Sequence, residues 1–236
     1  NPNAWVRESL TAEQICEVGP GNRMISWPYP KLMNSNNMVD QSAAVVLCSA
    51  EKADYLQIPR EQWVFPHAGT DSHDTYSTPA IRIGGARVLE LAGIGLDDID
   101  HVDVYSCFPS AVQVAARELG LALGDADRPL TVTGGLTFAG GPWNNYVMHS
   151  IATMAQRLRE NPGSHGLITA NGGYLTKHAF GVYSTTPPPS GRFAHRDCQA
   201  AVDDVGSVDL ASDWQGPVVI EGATAMSDRA GKPEKA

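Results

Sequence analysis

Two glycine-rich segments contain the residues best suited to chemistry in this chain of 236 residues. Residues 132–149 contain the pairs Gly134-Gly135 and Gly140-Gly141, and residues 170–178 contain Gly172-Gly173. Glycine accepts backbone conformations and close approaches that a Cβ would forbid, so each segment is either a tight turn or backbone that lines a pocket. Polar side chains that suit a pocket are concentrated beside the pairs, at Asn144, Asn145, Tyr174, Lys177 and His178.

A further pair of reactive side chains, Tyr105 and Cys107, follows residues 101–106, whose alternating pattern predicts a strand. Tyr105 is either a proton carrier or a packed residue at the end of the strand. Cys107 is either a reactive thiol or a small buried side chain, which is the common state of a free cysteine. Both residues are therefore candidates for a catalytic role.

The four cysteines are scattered through the chain, and no two have the spacing of a metal site or a CxxC motif. We expect reduced thiols in a cytoplasmic protein. His67, Asp71, His73 and Asp74 share one polar segment, but their spacing fits no standard metal site. The sequence therefore predicts no metal and no disulfide.

The composition is that of a globular protein, with 42% hydrophobic and 18% charged residues. The net charge of −9 argues against a nucleic-acid partner, because such proteins bind phosphates through clustered lysine and arginine. The sequence contains no apolar run long enough to span a bilayer, so we expect no membrane span.

Helical signals are clear along the chain. Thr11 and Gln14 form a capping-box pattern, and Pro79 and Pro109 stand at the first positions of two further helices. The predicted helices begin at residue 11 and cover residues 51–56, 78–93, 109–120 and 147–158.

Strands are predicted where apolar residues alternate or form short runs. The predicted strands are residues 62–65, 101–106, 130–133, 166–170, 179–184 and 216–220, with 179–184 antiparallel to 166–170. Residues 42–48 read as a strand or a buried helix, and residues 67–74 as a polar loop. Helices that alternate with strands predict a layered α/β domain with a mixed sheet, closed by the stiff linker of residues 186–189.

The order and spacing of these segments resemble the C-terminal portion of the thiolase superfamily. The branch it resembles contains sterol-carrier-protein thiolase-like and lipid-transfer proteins, often labelled acetyl-CoA acetyltransferases. Residues 39–47 resemble the Asp-Gly-Ala-Ala-Ala strand of the family's first half-domain. The resemblance implies an α/β fold, layered α-β-α, with a mixed five-stranded sheet. It assigns residues 1–70 to the end of the N-terminal half-domain, 71–186 to the C-terminal half-domain, and 187–236 to a linker and tail that resembles the start of a small β-domain.

The resemblance also places the family's catalytic loops on this sequence. The Asn-Glu-Ala-Phe loop corresponds to residues 105–108, and the Gly-His-Pro loop to residues 140–142, so Gly141 stands at the place of the catalytic histidine. The Cys-x-Gly-Gly-Gly loop corresponds to residues 169–173, which contain no cysteine. The family's nucleophilic cysteine is expected upstream of Asn1. Candidate catalytic residues are Tyr105, Tyr174, His178 and Cys107, and candidate substrate contacts are Gly140, Gly141, Asn144, Asn145, Asn171, Gly172 and Gly173.

These substitutions leave three functions open. The first is a thiolase-like acyltransferase that acts on acyl-CoA thioesters in lipid or sterol metabolism. The second is a retro-aldolase on a β-hydroxyacyl-CoA, with tyrosines as acid and base. The third is a homologue that only binds acyl-CoA or lipid. In each, coenzyme A is part of the substrate, and no permanently bound cofactor is expected.

The resemblance further implies a homodimer, since thiolase-like proteins pair through the first half-domain. We expect the upstream segment, or another chain, to cover the apolar faces that this portion leaves exposed. A small acyl-CoA-binding accessory protein is the partner that the aldolase alternative implies.

Overall fold

The computed structural model describes residues 1–74 and 78–235, so residues 75–77 of the expected half-domain and residue 236 of the tail lie outside it. Helices and strands alternate through most of the chain. The α-helices are α1 (Ala12–Cys16), α2 (Ala50–Tyr55), α3 (Pro79–Ala92), α4 (Pro109–Leu119), α5 (Gly135–Phe138), α6 (Tyr146–Glu160) and α7 (Gln199–Asp203). The strands are β1 (Met24–Ser26), β2 (Tyr29–Pro30), β3 (Phe65–His73), β4 (His101–Asp103), β5 (His165–Gly172), β6 (Lys177–Ser184), β7 (Ala194–Asp197), β8 (Met226–Ser227) and β9 (Pro233–Lys235). Short 3₁₀ helices cover Lys31–Met33, Arg60–Gln62, Leu96–Asp98 and Trp143–Asn145.

The main sheet has five strands in the order β4-β5-β6-β3-β7. β5 and β6 form an antiparallel hairpin, and β6 pairs antiparallel with β3. β4 and β7 are parallel to their neighbours β5 and β3. The predicted mixed five-stranded sheet is therefore confirmed.

Helices cover both faces of this sheet because successive strand residues point to opposite sides. On one face α3 and α4 enclose the larger core, which includes Val88, Val102 and Leu167. On the other face α6 packs against Ile168 through Met154 and Leu158. The result is the layered α-β-α arrangement expected from the sequence.

A second, four-stranded antiparallel sheet, ordered β2-β1-β8-β9, joins the two ends of the chain. Trp27 N donates to the Ala225 carbonyl at 2.9 Å, and Ser26 Oγ lies 2.8 Å from Thr224 Oγ1. Residues 224–226 are thus held against Ser26 and Trp27.

The helix signals of the sequence are confirmed by the structure. The Thr11–Gln14 capping box is present, and Pro79 and Pro109 begin α3 and α4. Both of these helices end at a glycine in the left-handed conformation, Gly93 and Gly120.

Several strand predictions were wrong. Residues 67–74, expected as a polar loop, largely belong to β3, which begins at Phe65 rather than at residue 62. Two of its buried polar side chains have partners that the sequence does not reveal: Thr70 Oγ1 donates to the Gly84 carbonyl at 2.8 Å, and His67 Nε2 lies 2.7 Å from the Thr186 carbonyl. Tertiary partners therefore allow polar residues in an inner strand.

Three other expected elements do not form. Residues 130–133 and 216–220 have no strand, and residues 42–48 form neither strand nor helix. Val46 is 90% exposed, so this apolar run lies on the surface.

β3 crosses the expected boundary at residue 70, and β7 adds residues of the expected tail to the main sheet. Within the described ranges, no helix has the length and apolar character needed to cross a membrane.

Asp103, at the end of β4, is fully buried and connects three parts of the domain. Its Oδ1 accepts from Thr131 Oγ1 at 2.8 Å, from Val132 N at 3.0 Å and from Thr133 N at 3.3 Å. Its Oδ2 accepts from two α6 side chains, Ser150 Oγ at 2.6 Å and Tyr146 OH at 3.1 Å. Residues 131–133 therefore form hydrogen bonds to the Asp103 carboxylate instead of pairing with β4 as a strand.

We expect Asp103→Asn to lower the free energy of unfolding by at least about 3 kcal/mol, because an amide NH₂ would face hydrogen-bond donors and leave buried groups unsatisfied. Denaturant titration monitored by circular dichroism measures the change. The exposed Asp97→Asn is the matched control and should leave stability unchanged. Equal stability of the two variants would contradict a structural role for the Asp103 carboxylate.

Candidate functional site

Three turns converge at one end of the main sheet. The first follows β4 at residues 104–108, the second spans residues 131–141, and the third joins β5 to β6. Tyr105 N donates to Thr169 Oγ1 at 2.9 Å, and Asn171 Nδ2 donates to Cys107 Sγ at 3.5 Å. Leu136 N donates to Ser106 Oγ at 3.1 Å. We call this meeting point the convergence site.

A fourth segment, residues 34–41, lies between the turns. Ser35 N donates to the Cys107 carbonyl at 2.9 Å, and Asn36 N to the Leu136 carbonyl at 3.1 Å. Gly141 N in turn donates to the Asn36 carbonyl at 2.9 Å. Residues 39–41 belong to the stretch that resembles a family strand, but residues 34–38 carry no pattern that would indicate the long-range backbone bonds that hold them.

Side chains of residues 34–41 lie close to Gly140 and Gly141. A Cβ on Gly140 would collide with Gln41 Oε1, and a Cβ on Gly141 would collide with Ser35 Oγ. Gly140 also has φ of 104°, a conformation that side chains disfavour. Their backbone therefore contacts this segment, and both residues are buried.

Cys107 is a partly buried thiol near the start of α4. Burial raises the pKa of its thiol, while hydrogen bonds from the backbone of Phe108 and Cys107 and from Asn171 oppose that rise. Charge on the sulfur is thus stabilised by three donors but disfavoured by the loss of water. At neutral pH the group is a protonated thiol that can carry a proton.

Tyr105 lies beside Cys107 and packs edge-on against Tyr146, with ring centroids 5.2 Å apart. Burial first, and the neighbouring Cys107 second, raise the pKa of Tyr105. Burial and the nearby Asp103 raise the pKa of Tyr146 well above its ordinary value. Both phenols are therefore neutral at physiological pH.

His178 and Asn171 share a small cavity with Tyr105, about 10 Å³ in volume. A cavity of that size holds about one water molecule. His178 Nε2 lies 3.0 Å from the Leu175 carbonyl, and burial lowers the pKa of this imidazole. A neutral His178 thus donates to the turn that follows β5, which makes it an anchor of that turn. Asn171 Oδ1 is buried, and no donor from the described residues reaches it.

The turn between β5 and β6 has an unusual backbone. Gly173, Tyr174 and Leu175 have φ values of 58°, 56° and 67°. Left-handed conformation costs non-glycine residues about 1–2 kcal/mol each and persists where the surroundings enforce it. The Tyr174 side chain is 90% exposed, so it is not packed beside Tyr105 and Cys107. Gly172 and Gly173 belong to the same turn.

The asparagines after the second turn lie at its edge. Asn144 is exposed, and Asn145 Nδ2 lies 3.3 Å from His149 Nε2. Asn145 is the N-cap residue of α6, but its side chain makes no capping bond to any described residue.

His149 lines a separate cavity of about 540 Å³ together with Trp5, Arg7 and Gln41. In the ranges 1–74 and 78–235, no group of three or more metal-binding side chains is placed to hold an ion.

Comparison with known proteins finds acetyl-CoA acetyltransferases among the relatives of this chain. The chain is 28% identical over 136 residues to an acetyl-CoA acetyltransferase of Syntrophomonas wolfei, covering 58% of this chain and 34% of that protein. It is 26% identical over 183 residues to an acetyl-CoA acetyltransferase of Methanothermobacter thermautotrophicus, covering 69% and 46%. No protein-family model matches the chain.

Among solved structures, the chain resembles a monomeric SCP2-thiolase-like protein type 1 from Mycobacterium smegmatis. The TM-score is 0.81 and the sequence identity 32%, over 99% of this chain and 56% of that one. The chain thus spans about a third to a half of the curated relatives' length and just over half of this neighbour's.

The raised pKa of Cys107 predicts slow alkylation at neutral pH, because the thiolate is the reactive form. Iodoacetamide should modify the exposed Cys16 and Cys48 first, and the rate at Cys107 should rise only above the pH at which ordinary thiols ionise. Asn171→Leu removes a donor to the sulfur and should shift that rise to still higher pH. Peptide mass mapping across a pH series measures all three rates. Alkylation of Cys107 at neutral pH as fast as that of Cys16 would show that the thiol is not desolvated.

Proposed function

Because this chain belongs to the thiolase superfamily, in its SCP2-thiolase-like branch, we propose that the convergence site binds an acyl-CoA thioester and that the protein is a thiolase-like acyltransferase. Coenzyme A enters as part of the substrate, and the proposal requires no permanently bound cofactor. Lipid or sterol metabolism is the proposed setting.

The observation that carries the proposal is the meeting of a thiol, a carboxamide and a phenol on turns from separate parts of the chain. Cys107 Sγ lies 3.5 Å from Asn171 Nδ2, and Tyr105 is held between Thr169 and Tyr146. Titratable and polar groups brought together from distant segments are typical of a site that handles a ligand.

Cys107 fits the role of proton carrier at the carbon next to the thioester. The deprotonated sulfur takes a proton from that carbon, and the electron pair of the broken C–H bond moves onto the thioester oxygen as an enolate. Because burial raises the pKa of the thiol, only a small fraction of Cys107 is ionised at neutral pH, and the step becomes faster as the pH rises. Reprotonation by the same thiol reverses the step.

A second candidate function is retro-aldol cleavage of a β-hydroxyacyl-CoA, favoured by the buried phenol of Tyr105 beside Cys107. In that reaction a base removes the β-hydroxyl proton, the bond between the α and β carbons breaks, and an aldehyde or ketone leaves. The remaining enolate then takes a proton from an acid such as Cys107. Tyr174 lies too exposed in this conformation to take part without movement of its turn.

We further propose that another chain segment or a second chain covers an apolar surface at residues 42–48. Val46 and Leu47 are 90% and 81% exposed, and apolar side chains in a run seldom stay in water. A homodimer is one way to cover them, although the solved neighbour is a monomer. A small acyl-CoA-binding partner belongs to the aldolase alternative.

Proton exchange at the α carbon tests the proposal without requiring a complete turnover. In D₂O the protein should incorporate deuterium into acetyl-CoA, at a rate that rises with pH as Cys107 ionises. Cys107→Ala should lower the rate at least about 100-fold, which is the ordinary contribution of a positioned acid or base. Mass spectrometry of recovered acetyl-CoA measures the exchange.

Cys198→Ala is the matched control, because Cys198 is a buried cysteine between β7 and α7. It should exchange like the unmodified protein. Release of a ketone or aldehyde from a β-hydroxyacyl-CoA, lost in Tyr105→Phe, would favour the aldolase. Binding of acetyl-CoA without exchange or cleavage would leave a binding protein, and no binding would contradict the proposal.

A further inference from the structure

His178 is the second residue of β6, directly after the third turn of the convergence site, and only 5% of it is exposed. Its direct partner on β5 is Asn171, and its direct partner on β3 is Ser72. Side chains of direct cross-strand partners lie on the same face of a sheet. Asn171 and His178 also line the same small cavity. The imidazole of His178 therefore lies beside the carboxamide of Asn171.

The turn next to His178 has a backbone that needs support. Gly173, Tyr174 and Leu175 are all left-handed, and two of the three are not glycine. Such a conformation persists only where other interactions enforce it. The Tyr174 side chain is 90% exposed, so it contributes little packing to the turn. Hydrogen bonds must therefore supply most of the support.

Side-chain hydrogen bonds close this turn. His178 Nε2 donates to the Leu175 carbonyl at 3.0 Å, and Thr176 Oγ1 donates to the Gly173 carbonyl at 2.7 Å. Asp74 N donates to the Thr176 carbonyl at 2.9 Å and ties the turn to the end of β3. The bond from His178 connects a left-handed residue directly to a buried side chain of the sheet. It therefore fixes the turn relative to β6.

Asn171 connects this turn with Cys107. It lies one residue before the end of β5, and its Nδ2 donates to Cys107 Sγ at 3.5 Å. Its Oδ1 is buried and accepts no hydrogen bond from the described residues. No second bond from that part of the chain holds the amide, so its position depends on the backbone of β5. A displacement of the turn would move that backbone and weaken the bond to the sulfur.

We propose that His178 is a positioning residue, which ties Leu175 to β6 and thereby keeps the Asn171 amide within hydrogen-bonding distance of the Cys107 sulfur. This role differs from the acid–base role expected from the sequence, because the imidazole acts through Asn171 and not on the substrate. The inference rests on the proposed function only in giving Cys107 a reaction to perform. The bond to the sulfur can be tested on the protein alone.

Alkylation of Cys107 by iodoacetamide tests the role without any acyl-CoA. His178→Leu removes the donor to Leu175 and should lower the alkylation rate at a fixed pH about 10-fold, because a thiolate that loses a hydrogen bond forms less readily. His178→Gln keeps an N–H donor of similar reach and should retain the original rate. His165→Leu, at the opposite end of β5, is the matched control and should also retain it. An unchanged rate in a folded His178→Leu protein overturns the role.

A double variant distinguishes action through Asn171 from a general loss of structure. His178→Leu added to Asn171→Leu should cause no further loss of rate, since the donor to the sulfur is already absent. A full further loss in the double variant would show that His178 does not act through Asn171.

If His178→Leu does not fold, Thr176→Val removes another bond of the same turn at nearly constant volume. It should slow alkylation of Cys107 in the same way, and an unchanged rate overturns the role. Deuterium incorporation into acetyl-CoA tests the proposed function separately. If the unmodified protein incorporates none, the proposed function is wrong, while the alkylation rates still decide the role of His178.

Discussion

The buried carboxylate of Asp103 is the interaction on which the site depends most. It ends β4, holds residues 131–133 through their backbone and hydroxyl groups, and accepts from Ser150 and Tyr146 of α6. A carboxylate without water must have its acceptor sites filled, so these donors have little freedom to move. The buried carboxylate therefore fixes the position of the second turn and of the start of α6, which follows that turn. Tyr146 also contacts the ring of Tyr105, so the carboxylate helps to fix the position of Tyr105.

Chemistry at the convergence site is shaped by partial removal of water. Burial raises the pKa values of Cys107 and Tyr105, so both groups hold their protons at neutral pH. Donors to the Cys107 sulfur act in the opposite direction and reduce the cost of forming a thiolate. Neutral acids beside hydrogen-bond donors can supply a proton and stabilise a short-lived negative charge. These are the two requirements of the proposed reaction, which passes through an enolate.

Close approach of backbone segments determines which residues the site can contain. Residues 34–41 occupy the space beside Gly140 and Gly141, and Leu136 N bonds to the Ser106 hydroxyl. A side chain at position 141, where the family resemblance expects a histidine, would have to displace the Ser35 hydroxyl.

The sequence by itself determined the features that depend on residues close to one another along the chain. Caps and proline positions located α1, α3 and α4, and the spacing of the glycine loops identified the family and the layered sheet. Tertiary structure decided the rest, because long-range partners overrode local pattern. β3 carries polar residues yet pairs on both sides, residues 130–133 follow a buried carboxylate, and the apolar residues 42–48 lie exposed. Cys107 and Tyr105 were identifiable as candidates from sequence, but Asp103 and Tyr146 were not, since each acts through residues that only the fold brings near.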